Sequence, residues 1–134
     1  MLRVDGLSVH AGPIELVREV SFGIAPGERV GLIGESGSGK SLTALSLLGL
    51  LPEGVTASGA ARLGEHDLVG VPERRIKELR GRRISMVFQE PMTALNPLMR
   101  VVAQVAEVMT LHGVPAARAR ERAVELLGRV RLPR

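Results

Sequence analysis

Residues 34–41 read GESGSGKS, with glycines at 34, 37 and 39 followed by Lys40 and Ser41. Lysine is scarce: of 18 basic side chains only Lys40 and Lys77 are lysines. The segment fits G-x-x-x-x-G-K-[ST], entered by an apolar run (RVGLIG) and left by a leucine-rich one. Glycines let successive backbone N–H groups turn inward and approach a polyphosphate without Cβ clashes. A helix beginning near Gly39 would add unpaired N–H donors and the positive end of its dipole. Lys40 needs no rigid support in such a loop, because a bound phosphate itself fixes the ammonium, and Ser41 is placed to offer its hydroxyl to Mg²⁺. The candidate phosphate-binding set is Gly34, Glu35, Ser36, Gly37, Ser38, Gly39, Lys40, Ser41 and Leu42.

A second candidate is Gln89, in VFQEPMTALNP at residues 87–97. A strand ending at Gln89 and opening into a proline-bearing loop puts a neutral amide at a strand's carboxyl end, where ligands collect in open α/β sheets. Its oxygen can coordinate Mg²⁺ or hold a water. A single glutamine read alone is more often a surface residue, so the assignment leans on its surroundings.

The elements that must position these groups follow from periodicity. Leu2, Val4, Leu7 and Val9 alternate as a short strand broken at Gly6; Val20, Phe22 and Ile24 alternate again, and Pro26-Gly27 makes a turn. RVGLIG has the near-continuous apolar character of a strand buried on both faces. Leu42, Leu45, Leu48 and Leu51 recur at helical spacing, which predicts a helix from Lys40 to Leu51 stopped by Pro52. A small-residue strand is expected over 56–63, a short helix from Pro72 to about Arg80, and a strand at RISMVF. Two amphipathic helices follow, roughly 98–111 and 116–131. Their expected inner faces carry Val101, Val105 and Val108, then Ala119, Ala123, Leu126, Leu127 and Val130. Strands early and helices late give an α/β class with a helical attachment.

Composition narrows the function. The 134 residues are one domain's worth of chain, and 45% hydrophobic content argues against disorder. No apolar run is long enough to span a bilayer, and the N-terminus lacks the apolar block of a signal peptide, so a cytoplasmic location is expected. With no cysteine there are no disulfides, thiolate metal sites or thiol nucleophiles. The formal charge of +4 would suit an anionic partner, but it is concentrated in PERRIKELRGRR, which reads as a solvated helix and turn. Aromatic content of 1% disfavours nucleic acid, because stacking platforms need rings.

GESGSGKSLTALSLLGLLP together with RISMVFQEPMTALNPLMRV resembles the ATP-binding subunit of an ABC importer of the oligopeptide/dipeptide/nickel branch. The similarity runs through essentially the whole chain, and the Met92-Thr93 and Asn96-Pro97 wording is its most branch-specific part. It implies a P-loop NTPase fold, a RecA-like core with an N-terminal antiparallel β part, plus the start of an α-helical subdomain. Residues 1–89 would form the core and 90–134 the helical start. By that resemblance Gly34–Ser41 is the Walker A loop binding ATP, Gln89 is the Q-loop glutamine, and Mg²⁺ is held by Ser41 and Gln89. Partners would be transmembrane permease subunits facing Gln89–Pro97, a second ATP-binding subunit, and indirectly a solute-binding protein. The subunit would sit at the cytoplasmic face of the inner membrane, and its cargo, peptide or nickel, is not readable here.

The sequence departs from that family in two respects. The position of an adenine-stacking aromatic looks occupied by Ala11, with His10 beside it as a weaker platform. Losing such stacking costs roughly 5- to 150-fold in affinity. No LSGGQ-like signature, Asp-Glu-ended Walker B strand or switch histidine is present, so the chain reads as an N-terminal fragment, inactive by itself in hydrolysis. The expected consequence is an exposed apolar sheet edge and poor folding in isolation. Two other readings remain open at this point. One is a small P-loop kinase with Arg80, Arg82 and Arg83 as lid arginines; the other is a non-catalytic remnant.

Overall fold

The computed structural model describes residues 1–88 and 95–130, so Gln89 and most of the loop after it lie outside the described residues. The chain divides into two compact units, Met1–Ser85 and Met86–Arg134.

In the first unit β1 (Leu2–Ala11) and β2 (Ile14–Ile24) form an antiparallel hairpin, and β3 (Val55–Leu63) pairs with the other edge of β1. The short β4 (His66–Asp67) completes a four-stranded antiparallel sheet of order β2-β1-β3-β4. The expected break at Gly6 is a bulge inside one continuous strand, where the register shifts against both neighbours. Two serines satisfy the amides that the irregular ladder frees: Gly6 N–H donates to Ser21 Oγ at 2.8 Å and Glu19 N–H to Ser8 Oγ at 2.9 Å. Gly59, at φ +89°, lies against this bulge so closely that a Cβ there would stand 2.2 Å from the Gly6 carbonyl oxygen.

Val4, Leu7 and Ala61 of the sheet bury one face against Leu47 of α1 (Lys40–Leu47) and Ile76 and Leu79 of α2 (Glu73–Leu79). Helix α1 is shorter than its leucine spacing suggests. Gly49, at φ +62°, ends it by donating to Ser46 O at 3.1 Å while Leu50 N–H donates to Leu45 O at 2.9 Å. That glycine-based cap stops the helix before Pro52 can act. The buried side chains of α1 are Thr43, Ser46 and Leu47, and of the expected leucine stripe only Leu48, at its C-cap, is buried.

The two apolar runs expected as strands are not strands. RVGLIG forms no ladder, and Val30, Leu32 and Ile33 are 48%, 52% and 96% exposed. In RISMVF, Ile84 makes only an isolated bridge to Arg80, and Val87 is 95% exposed. Apolar continuity records a preference for burial, but a strand needs a neighbouring backbone for its N–H and C=O groups. None among the described residues pairs with either run beyond that bridge.

The second unit is a helical hairpin of α3 (Val101–Leu111) and α4 (Ala116–Arg129). Their seam is built on Ala106, Ala119 and Ala123, flanked by Val102, Val105 and Met109. Val101, Val108 and Val130, expected on inner faces, are 41%, 52% and 66% exposed. Because α3 carries valines on more than one of its faces, its valine spacing alone does not select the face that packs. No helix among the described residues is long and apolar enough to cross a membrane.

Candidate functional site

The glycine loop runs directly into α1. Gly37 and Gly39 both take the left-handed conformation, at φ +81° and +87°, which turns the backbone twice within three residues. Gly39 is the helix N-cap and therefore carries no side chain to cap the amides of the first turn. The first intrahelical bond is Thr43 N–H to Gly39 O at 2.8 Å, so the N–H groups of Lys40, Ser41 and Leu42 have no partner within the helix. Ser38 N–H closes a turn onto Glu35 O at 3.2 Å. A Cβ at Gly34 would meet Ser38 Oγ at 2.6 Å, so the loop folds back on its own start.

The Lys40 ammonium sits inside this fold of chain. It donates to Gly34 O at 2.7 Å, Glu35 O at 2.6 Å and Ser38 Oγ at 3.1 Å. No carboxylate pairs with it among the described residues. A cation held only by neutral oxygens, beside uncapped helix amides, gives the loop a positive potential with no built-in counter-ion among the described residues. The exposed Ser41 follows on the first turn of α1. Contact with the sheet fixes the loop's base: Gly39 approaches β2 so closely that a Cβ would lie 2.6 Å from Val17 Cγ2 and 3.2 Å from Leu16 O.

The other end of α1 is anchored by a residue that sequence reasoning placed elsewhere. Arg80 Nε donates to Leu48 O at 2.7 Å and its Nη2 to Gly49 O at 2.9 Å, satisfying carbonyls at the helix C-terminus. The same guanidinium grips the Glu73 carboxylate through both oxygens, at 2.7 and 3.1 Å. Hydrogen bonding to Arg80 holds the Glu73 carboxyl below its ordinary value. This commitment removes Arg80 from the set of lid arginines a kinase would need. The sequence signal was Glu73 seven residues before Arg80, a spacing that returns to the same helix face.

His10 lies on β1 opposite Glu15 of β2, its Nε2 3.7 Å from Glu15 Oε1, an ion pair only when the imidazole is protonated. Gln89 lies outside the described residues. In the helical unit a second glutamine, Gln104, binds the backbone of residues 96 and 99; nothing in the local pattern pointed to it.

Residues 17–134 match the sequence model of the ABC transporter family. The oligopeptide transport ATP-binding protein OppD of Salmonella typhimurium is 44% identical over 91% of this chain and 37% of its own length. AppD of Bacillus subtilis, also an oligopeptide transport ATP-binding protein, is 45% identical over 95% of this chain and 41% of its own. The chain thus spans about two fifths of the length of these curated relatives. Among solved structures, a dimeric ATP-binding cassette in a post-hydrolysis state, bound to ADP and Pi, superposes with a TM-score of 0.79. It does so at 21% identity, covering 99% of this chain and 58% of that one. The fold is that of a P-loop ATP-binding cassette, and the chain belongs to the ABC transporter family.

Proposed function

We propose that this chain carries the ATP-phosphate site of the ATPase subunit of a peptide importer. The observation that carries the reading is the Lys40 ammonium lodged among Gly34 O, Glu35 O and Ser38 Oγ at the uncapped start of α1. Lys40 exchanges these neutral acceptors for the β- and γ-phosphate oxygens, and the amides of Lys40, Ser41 and Leu42 supply the remaining donors. Ser41, together with Gln89, holds Mg²⁺, which supplies charge neutralisation at the phosphates. His10 stands as the weaker candidate for contact with the base.

The peptide class of cargo follows from relatives named for oligopeptide transport. The partners proposed are membrane-embedded subunits reached through residues 89–97, a second ATP-binding subunit, and a solute-binding protein that delivers cargo. The subunit then works at the cytoplasmic face of the membrane, and the full-length cassette hydrolyses ATP. Lys40→Ala in the full-length subunit is expected to abolish ATP-dependent peptide uptake in reconstituted vesicles; undiminished uptake would reject the assignment.

A further inference from the structure

Helix α1 is only about 12 Å long, so a change of direction at one end moves the other. Its start lies on β2 at Gly39, where Val17 and Leu16 leave no room for a Cβ. Its far end is held by one guanidinium. Arg80 Nε and Nη2 donate to the consecutive carbonyls of Leu48 and Gly49, while Nη1 and Nη2 bind both oxygens of Glu73. The backbone that carries this side chain is itself fixed. Arg80 N–H donates to Ile76 O at 3.1 Å, and the amides of Arg82, Arg83 and Ile84 converge on Leu79 O at 3.2, 2.8 and 3.2 Å. Water could satisfy carbonyls at a helix end beside the exposed Gly49, but it supplies no fixed point. A planar fork already paired with Glu73 does.

We infer that Arg80 is a positioning residue for the nucleotide site: it sets the direction of α1 and so aims the first-turn amides and the Ser41 hydroxyl. The inference rests on the phosphate-site reading above. Arg80 itself touches neither phosphate nor metal, since its donors are committed to Leu48, Gly49 and Glu73 at the opposite end of the helix. Its influence passes through the rigid turns of α1, whose amides at Lys40, Ser41 and Leu42 have no partner within the helix. Small errors in the aim of such donors are costly, because hydrogen bonds weaken steeply as they leave linearity.

The test titrates ATP, with and without Mg²⁺, into full-length subunits held well below their thermal midpoints, where loss of stability alone does not alter affinity. Arg80→Ala is expected to weaken MgATP about 5-fold and to shrink the gain in affinity that Mg²⁺ brings. Arg80→Lys keeps the charge and a donor for one carbonyl, and it restores affinity to within about 2-fold of wild type. Gly49→Ala sets a Cβ 3.2 Å from Arg80 Nη2 and moves both readings in the direction of Arg80→Ala. Glu73→Gln keeps an oxygen for Arg80 and lies outside α1, so it leaves both at wild-type values. Wild-type affinity in folded Arg80→Ala overturns the inference, as does an equal loss in Glu73→Gln. Should Arg80→Ala fail to fold, wild-type affinity and an undiminished Mg²⁺ gain in Gly49→Ala overturn it. Lys40→Ala that binds MgATP as tightly as wild type overturns the phosphate-site reading, and the inference falls with it. A weakened Lys40→Ala beside an unaffected Arg80→Ala overturns the inference alone.

Discussion

At Gly39 a single missing methyl group joins fold to site. Its φ of +87° and the 2.6 Å separation between an added Cβ and Val17 Cγ2 leave no room for a side chain. Gly39→Ala is therefore expected to cost about 1–3 kcal/mol and to move the start of α1. Thermal unfolding and MgATP affinity of the full-length subunit should fall together. Ser41→Ala should behave differently: on the proposed metal role it leaves stability intact and removes the gain in ATP affinity that Mg²⁺ provides, read by titration with and without the ion. The loop was readable in the sequence because its determinants are local, with glycine, lysine and serine spaced within eight positions. The hold of Arg80 on α1 was not, since the Leu48 and Gly49 carbonyls lie more than thirty residues away and carry no side-chain signature.

Among the elements, α1 is held at both ends by different means, Gly39 against β2 and Arg80 at its C-terminal carbonyls. Arg80→Ala should cost about 1–3 kcal/mol through those two carbonyls, with its main effect on unfolding of the first unit. The Glu73 contact adds a pH dependence of defined sign. Because Arg80 lowers the folded carboxyl below its ordinary value of 4.5, the contribution is present above that value. It is lost as pH falls through the depressed folded value. Glu73→Gln should flatten the acid limb of a thermal-midpoint profile without altering it near neutrality; an unchanged acid limb would show the contact to be inert. Strands β1 and β3 and all four helices were anticipated near their observed places, whereas β2 was anticipated only over Val20 to Ile24 and begins at Ile14. The apolar runs at 29–34 and 83–88 were misread because periodicity reports burial while a strand also requires a neighbour. The seam of α3 was misplaced because valines cover more than one of its faces.

Over the whole molecule, the core at Val4, Leu7, Ile76 and Leu79 coexists with Val30, Leu32, Ile33, Val87 and Phe88 standing about half exposed or more. Unpaired apolar backbone of that kind favours association between chains. The 134-residue chain purified alone is expected to aggregate or to unfold without a cooperative transition; a sharp, reversible calorimetric transition would contradict that. The central claim is that the loop around Lys40 closes on nucleotide phosphates. Calorimetric titration of MgATP into the full-length subunit tests it most directly, comparing wild type with Lys40→Ala. Saturable binding weakened at least about 10-fold by the substitution is the predicted result, and equal affinity in the two proteins would contradict it.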